Sequence, residues 1–210
     1  MSEPDNRSWN VGSAGDGAVR ESHQQALAVG EITPLDGPIA LSAYDTAWPR
    51  LFAREAGRIR AALDDSIVLL EHVGSTSVPG LVAKPRIDVL LVVPDSADEP
   101  AYVPALEAAG YVLRIREPDW HEHRVFKGPD TDTNIHVFSA DCSEIERMVG
   151  FRDWLRSHDA DRERYAEAKR ELAVRTWRWV QDYADAKTAV VEGIIARAAL
   201  PGPLADGGRR

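Results

Sequence analysis

Residues 71–93, EHVGSTSVPGLVAKPRIDVLLVV, carry the strongest structural signal in the chain. Their second half, Ile87–Val93, is an almost unbroken aliphatic run bounded by prolines, which predicts a strand covered on both faces. Their first half places the small and hydroxyl-bearing residues Gly74–Ser77 shortly after a predicted strand at Ile67–Leu70. The sequence here predicts two strands connected through a turn rich in glycine and serine.

This turn has the composition of a phosphate-binding loop. Gly74 lets backbone N–H groups approach an anion closely, and the hydroxyls of Ser75 and Thr76 can donate further hydrogen bonds. Lys84 supplies a positive charge for the same phosphates. Glycine, serine and threonine also cluster in turns that bind no ligand, so the turn alone leaves both interpretations open.

Asp88 is the one acid inside the aliphatic strand. A carboxylate among buried valines and leucines is unfavourable unless it is paired, hydrogen-bonded or bound to a cation. One explanation makes Asp88 a catalytic residue that coordinates a divalent metal ion. The other is an ion pair with Lys84 or Arg86, and Arg86 is in addition a predicted substrate-binding residue.

The flanking sequence predicts further helices and strands around this centre. Hydrophobic spacing, helix-ending glycine and a turn at residues 128–132 are the signals used. The predicted elements are a helix at Trp48–Leu63, a helix at Tyr102–Ala109, a strand at Tyr111–Ile115, a hairpin of His121–Lys127 with Thr133–Phe138, and about three helices between Ser143 and Leu200. The fold class is therefore α/β (α+β): a mixed β-sheet flanked by helices, with a C-terminal helical region.

Four segments follow from this assignment. Residues 1–36 and 201–210 are rich in glycine and polar residues, show little apolar periodicity, and are predicted to be disordered. Residues 37–140 form the predicted sheet domain, and residues 141–200 form the helical region.

Composition limits the partners of the protein. The 210-residue chain has a formal net charge of −9, which gives no support for binding duplex nucleic acid through many phosphate contacts. Its single cysteine, Cys142, excludes an intramolecular disulfide and a thiolate metal cluster. The sequence shows no membrane span or signal peptide, and we predict a cytoplasmic protein without a membrane partner.

Three histidines of the predicted hairpin suggest a second kind of metal site. His121 and His123 share a strand face by their spacing of two, and hairpin closure brings His136 roughly opposite His123. Together with Asp88, His123 and His136 would suit zinc, manganese or iron better than magnesium. The alternative is that these histidines simply occupy a polar face of the hairpin.

The C-terminal region contains two similar segments, YAEAK at 165–169 and YADAK at 183–187. A tyrosine and a lysine four residues apart on a helix face the same way. Lys169 and Lys187 are therefore predicted to bind substrate by neutralising a phosphate while the tyrosine stacks on a base. The tyrosines could equally pack on the sheet.

Residues 72–81, HVGSTSVPGL, followed by Lys84-Pro85 and Ile87-Asp88, resemble the signature of the GrpB family. The resemblance extends to residues 44–48, 135–138 and 151–156, and covers roughly residues 37–200. More broadly, a glycine-serine turn followed by a strand acid resembles the nucleotidyltransferase superfamily. This resemblance implies a nucleotidyltransferase-type sheet in which the turn holds a nucleoside triphosphate or related phosphorylated metabolite and Asp88 holds magnesium. It also implies a link to coenzyme A metabolism, since family members occur joined to the kinase that completes coenzyme A synthesis.

The sequence departs from the superfamily pattern at two positions. Active nucleotidyltransferases usually pair two acids at alternate strand positions, but this chain has Leu90 two residues after Asp88. His136 stands where a later strand would carry a third acid. We therefore predict that Asp88 and His136 converge beside the Gly74 turn.

Three functions remain open from the sequence. The first is transfer of a nucleotidyl group to an unknown acceptor, and the second is a non-catalytic module that binds a nucleotide, a coenzyme-A-like metabolite or a protein. The third is another phosphate-activated or acyl-transfer reaction.

Overall fold

The computed structural model describes residues 25–31 and 33–199, which form a five-stranded mixed sheet with helices on both faces. The strands are β1 (Leu69–Val73), β2 (Ile87–Val93), β3 (Val112–Glu117), β4 (His123–Lys127) and β5 (Thr133–Ser139). Their order across the sheet is β1-β2-β5-β4-β3. β2 and β5 are parallel, and the other neighbouring pairs are antiparallel. The predicted mixed α/β sheet is confirmed.

Six α-helices accompany the sheet in residues 48–199: two lie before or between the strands, and four follow β5. They are α1 (Trp48–Leu63), α2 (Val103–Ala108), α3 (Ser143–Ser157), α4 (Asp159–Ala173), α5 (Val180–Asp185) and α6 (Thr188–Ala199). The predicted bounds of α1 and β2 match the structure. The C-terminal region has four helices rather than about three, because the short helix α5 is separate from α6.

The two faces of the sheet have different coverings. On one face, Val89, Leu91 and Ile135 pack against α1 and α2 in the main hydrophobic core. On the other face, Leu90 and Phe138 pack with apolar residues of α3. Side chains alternate between the faces of a strand, so Asp88 lies on the α3 side together with Leu90.

Strand β1 begins later and extends further than the predicted strand at Ile67–Leu70. Its polar residues are held by partners from distant parts of the chain. The His72 ring stacks on Phe52 of α1 with ring centroids 4.7 Å apart, and Glu71 pairs with Arg152 of α3 at 2.7 Å. These contacts make polar residues compatible with a strand that flanks the core.

The described part of the N-terminal segment contacts the rest of the protein. The backbone N–H of Val29 donates to the Arg114 carbonyl, and that of Leu35 donates to the Arg178 carbonyl, both at 2.8 Å. The disorder predicted for residues 1–36 therefore does not extend over 25–31 and 33–36. The predictions for residues 1–24 and 201–210 lie outside the described residues. Across the described ranges, the helices are too short or too polar to cross a bilayer.

Candidate functional site

The turn after β1 is built around a close backbone approach to Asp88. Gly74 has a φ of +67°, and a short 3-10 turn, Ser75–Ser77, follows it. The Ser77 hydroxyl donates to the Gly74 carbonyl at 2.6 Å. A Cβ at Gly74 would lie 2.9 Å from the Asp88 Cβ and closer still to Oδ2. Glycine is required here for both conformation and space.

We expect Gly74→Ala to lower the free energy of unfolding by about 1–3 kcal/mol, because the added methyl displaces Asp88 or the turn. Urea denaturation measures this loss. Gly57→Ala is the matched control, since Gly57 is helical, has no positive φ, and has open space where its Cβ would stand. That control should be neutral or up to about 1 kcal/mol more stable. Equal effects at the two glycines would contradict the close approach.

Asp88 and His136 lie on the neighbouring parallel strands β2 and β5, and their side chains converge as predicted. His136 Nε2 lies 3.8 Å from Asp88 Oδ1. The Asn134 amide also donates to Asp88 Oδ1 at 3.1 Å. The Asp88 side chain is 27% exposed, so the carboxylate is held by two neighbours on β5 while part of it remains accessible.

The charge state of Asp88 is set by opposing influences. Burial alone would raise its pKa, but His136, Arg86 and Lys84 outweigh burial and hold the pKa of Asp88 below its ordinary value. Asp88 is therefore ionised at neutral pH. The alternative to metal binding was an ion pair of Asp88 with Lys84 or Arg86. Arg86 pairs instead with Asp132 at 2.8 Å.

His123 lies beside His136, on the side away from Asp88. Its Nε2 lies 3.2 Å from His136 Nδ1, and its Nδ1 lies 2.6 Å from the Glu117 carboxylate. Burial lowers the pKa of His123 to about 4, with Glu117 opposing the shift, so the ring is neutral. Asp88, His136, His123 and Glu117 form a continuous polar row across four strands of the sheet.

The structure does not assemble the predicted metal site. Within the described ranges, no three His, Cys, Asp or Glu side chains are placed to hold a metal ion. Both ring nitrogens of His123 already face protein partners, so His123 does not join Asp88 and His136 as a ligand. His121 lies outside β4, with a φ of +54°, and does not share a strand face with His123. His136 stands opposite Val125 rather than His123.

The chain has four lysines, Lys84, Lys127, Lys169 and Lys187, which we call the lysine cluster; the ammonium groups of Lys84 and Lys187 lie over the same Tyr183 ring, at 5.6 Å and 4.4 Å from its centroid. Asp88 acts electrostatically on every one of them, raising each pKa. The remaining 21 of the 25 basic residues are arginines. Three of these lysines had predicted roles and Lys127 had none, although the scarcity of lysine in the chain was a signal that could have identified it.

Burial dominates the ionisation of the lysine cluster. It lowers the pKa of Lys84 to about 8, with repulsion from Arg86 and Lys187 adding to the effect. It also lowers the pKa of Lys187 to about 8 against the attraction of Asp88, and it holds the pKa of Lys169 well below its ordinary value. Several cations are thus held close together in a place where water stabilises them poorly.

Two tyrosines of the C-terminal helices accompany the lysines. Lys169 lies over the Tyr165 ring at 5.2 Å and Lys187 over the Tyr183 ring at 4.4 Å. The Tyr165 side chain is hydrogen-bonded to Ser75 of the turn. The Tyr183 hydroxyl is buried and has no hydrogen-bond partner among the residues that the structure describes. Tyr183 is the tyrosine of YADAK that was predicted to stack on a base, and its hydroxyl is a further polar group of the site that the sequence did not indicate.

The predicted phosphate-binding residues have different surroundings. Ser75 and Lys84 are partly exposed, whereas Thr76 is 1% exposed. The Thr76 hydroxyl donates to the Arg86 carbonyl at 3.0 Å and contacts His72 Nε2 at 3.1 Å. Thr76 therefore supports the turn from inside the protein and does not face a ligand.

No second carboxylate takes the position that a two-metal centre requires. Leu90 is fully buried beneath α3. Glu71, on β1, has its carboxylate paired with Arg152. The site thus combines Asp88, a histidine beside it and four lysines, of which Lys127 also lies 3.7 Å from Asp132; this composition suits an anionic ligand.

Comparisons with known proteins show the family to which the chain is similar. A family model described as GrpB protein matches residues 38–197. A UPF0157 protein of Halalkalibacterium halodurans is 62% identical over 174 residues, covering 83% of this chain and 89% of that protein. The crystal structure of conserved protein GrpB from Enterococcus faecalis has 30% identity and a TM-score of 0.64, covering 76% of this chain and 96% of that chain.

A more distant relative carries an enzyme name. A protein of Mycolicibacterium paratuberculosis named dephospho-CoA kinase is 27% identical over 164 residues, which are 66% of this chain and 40% of that protein. The family model spans most of the chain, and the UPF0157 relative aligns along nearly the same length. The chain belongs to the GrpB family.

Proposed function

We propose that the chain binds a nucleoside triphosphate or a related phosphorylated metabolite at the lysine cluster. The observation that carries this proposal is that Asp88 acts on all four lysines of the chain, and that the ammonium groups of Lys84 and Lys187 both lie over the Tyr183 ring, at 5.6 Å and 4.4 Å. Like charges repel one another, and burial weakens the solvent screening between them. An anion with several negative charges relieves this repulsion by pairing with the ammonium groups.

The chemistry of the donors favours phosphate as that anion. Lysine binds phosphate oxygens as a compact point charge with three N–H donors, whichever way the phosphate is oriented. Hydroxyl donors stand near the same ammonium groups: Ser75 with Tyr165, and Tyr183 with no partner in the described part of the chain. Phosphate oxygens accept both kinds of hydrogen bond.

Nucleotidyl transfer is the second candidate, and the position of Asp88 favours it. Asp88 lies on β2 directly behind the Gly74 turn, which is the relation that the nucleotidyltransferase-type sheet implies for its metal-binding acid. Catalysis would consist mainly of positioning and electrostatic stabilisation. A magnesium ion would be held by Asp88 and by phosphate oxygens of the ligand, a donor set that magnesium uses. Leu90 instead favours binding without transfer.

Asp88→Asn separates the two candidates. Without magnesium, we expect this variant to bind ATP about fivefold more tightly, corresponding to ~1 kcal/mol, because the carboxylate no longer repels phosphate. Isothermal titration calorimetry with EDTA measures this change. Asp159→Asn is the control, since it removes the same charge from a side chain that is 86% exposed. That control should leave the affinity unchanged.

The same titration with magnesium tests transfer. Tighter ATP binding to the wild type on adding magnesium, lost in Asp88→Asn, would support an ion held by Asp88. If magnesium did not change the affinity of the wild type for ATP, binding without transfer would be the function. Dephospho-CoA and coenzyme A serve as further probes, because the distant relative bears the name dephospho-CoA kinase. If none of these phosphorylated ligands bound the wild type at millimolar concentration, the proposed function would be refuted.

A further inference from the structure

A cavity between the C-terminal helices adjoins the lysine cluster. It has a volume of about 220 Å³ and is bordered by residues of α3, α4, α5 and α6. Tyr165 and Lys187 line it, and both belong to the phosphate site described above. A ligand bound at the lysine cluster therefore has this cavity directly beside it.

The charge of the cavity differs from that of the lysine cluster. Its arginine, Arg147, is neutralised by Glu192 at 2.5 Å and Glu144 at 3.2 Å. Asp185 contributes a negative charge to the lining. Phosphate would find no free cation here apart from Lys187, which stands at the junction with the cluster. The cavity suits an uncharged group rather than a second phosphate.

The lining also combines polar and apolar surfaces. Gln181 and Thr188 offer hydrogen-bond donors and acceptors, whereas Tyr165, Ala184 and Val191 offer apolar contact. Whole-ligand sites usually have volumes of about 300–1,000 Å³, so a cavity of 220 Å³ holds one part of a ligand. A flat heteroaromatic ring has apolar faces and a hydrogen-bonding edge, which matches both kinds of lining.

We propose that this cavity is the subsite for the heteroaromatic base of a nucleotide whose phosphates occupy the lysine cluster. This proposal rests on the proposed function and adds the base, which is the part that distinguishes one nucleotide from another. Gln181 reads the edge of the base: one N–H of its amide donates to Asp185 Oδ1 at 2.9 Å, and its second N–H and its carbonyl oxygen provide a donor and an acceptor for the base. Tyr165 and Lys187 form the boundary between the base and the phosphates.

Ala184→Leu tests the subsite by filling it. Ala184 is half-buried on α5, and a leucine there would occupy part of the cavity without removing a lysine. Calorimetry compares the four ribonucleoside triphosphates with inorganic tripolyphosphate, which carries the phosphates and no base. We expect at least one nucleotide to bind the wild type more tightly than tripolyphosphate. In Ala184→Leu, that nucleotide should lose about 10-fold in affinity, whereas tripolyphosphate should stay within about twofold.

Ala189→Leu is the matched control, because Ala189 is exposed on α6 and lies outside the cavity lining. It should leave both affinities unchanged. If Ala184→Leu does not fold, Gln181→Leu is substituted, which keeps a similar volume and removes the polar contacts; the preference among bases should then disappear.

The outcomes distinguish this inference from the proposed function. Equal binding of nucleotides and tripolyphosphate, or an equal loss of both in Ala184→Leu, would overturn the base subsite while leaving phosphate binding intact. Failure of every phosphorylated probe to bind the wild type would overturn both.

Discussion

Replacing Lys187 with methionine is expected to remove most of the affinity for phosphorylated ligands while stabilising the ligand-free protein. Lys187 lies at the junction of the lysine cluster and the cavity, 4.4 Å from the Tyr183 ring centroid. A charge-assisted hydrogen bond contributes about 1.5–3 kcal/mol, so the loss should be about 10- to 100-fold. Calorimetry with tripolyphosphate and ATP measures it. The conservative variant Lys187→Arg should retain part of the affinity, because it keeps the charge but not the compact geometry.

The expected effect of Lys187→Met on stability is opposite to its effect on ligand affinity, because the free energy of unfolding should rise. Burial lowers the pKa of Lys187 from 10.5 to about 8, which corresponds to about 3 kcal/mol of unfavourable free energy when the group is charged. This penalty is fully present below pH 8 and disappears as the pH rises to 10.5, because the unfolded state then holds the extra proton. The free energy of unfolding of the wild type should therefore rise between pH 8 and pH 10, and rise less in Lys187→Met.

Arg175→Met is the control for the lost charge, since Arg175 is exposed on the same helical region. It should leave both ligand affinity and the pH dependence of stability unchanged. A Lys187→Met protein that is less stable than the wild type at pH 7 would contradict the account of Lys187 as a strained, ligand-binding cation. Residues retained for function commonly reduce stability in this way.

Elements with a strong local pattern could be predicted from the sequence. The bounds of helix Trp48–Leu63 and strand Ile87–Val93 follow from a proline in the first turn of the helix and from unbroken aliphatic residues in the strand. Strand β1 was misplaced because His72 is held there by Phe52, which belongs to α1. A contact between residues twenty positions apart leaves no periodic trace in the local sequence.

In the candidate site, too, some contacts could be predicted from the sequence and others could not. The convergence of Asp88 and His136 was predictable, because an acid inside an apolar strand requires a polar partner and His136 is a polar residue within the apolar run of β5. The role of His123 was not, because Glu117 binds its second nitrogen across the β3–β4 connection. Strand register places His136 opposite Val125, but a shift of two residues keeps both histidines on the same face, and their rings stack with centroids 5.3 Å apart, close to the predicted arrangement.

Glu55 shows how a buried charge can be concealed within an amphipathic helix. It lies on the apolar face of α1 between Phe52 and Ile59, and its side chain is fully buried. The Tyr111 hydroxyl donates to Glu55 Oε2 and the Thr131 hydroxyl donates to Oε1, both at 2.8 Å. The carboxylate thus connects α1 to the start of β3 and to the turn between β4 and β5.

This connection also supports the candidate site. Thr131 is followed by Asp132, which pairs with Arg86 at 2.8 Å and lies 3.7 Å from the ammonium group of Lys127. Anchoring Thr131 to Glu55 therefore fixes the turn that partly neutralises the cations beside Asp88. Loss of Glu55 should lower the stability of the protein. By releasing the turn at Thr131, it should also disturb the lysine cluster.

We expect Glu55→Ala to lower the free energy of unfolding by about 3 kcal/mol, because the buried Tyr111 hydroxyl and the half-buried Thr131 hydroxyl lose their acceptor and a cavity remains. Glu55→Gln should cost less, since its amide oxygen still accepts one of the two hydrogen bonds. Urea denaturation measures both variants, with Arg60→Ala on the exposed side of the same helix as a control expected within about 0.5 kcal/mol of the wild type. A loss below about 1 kcal/mol in Glu55→Ala would show that the two hydroxyls find other partners, and the anchor between α1 and the β4–β5 turn would then be Arg58, which pairs with Asp130 at 2.5 Å.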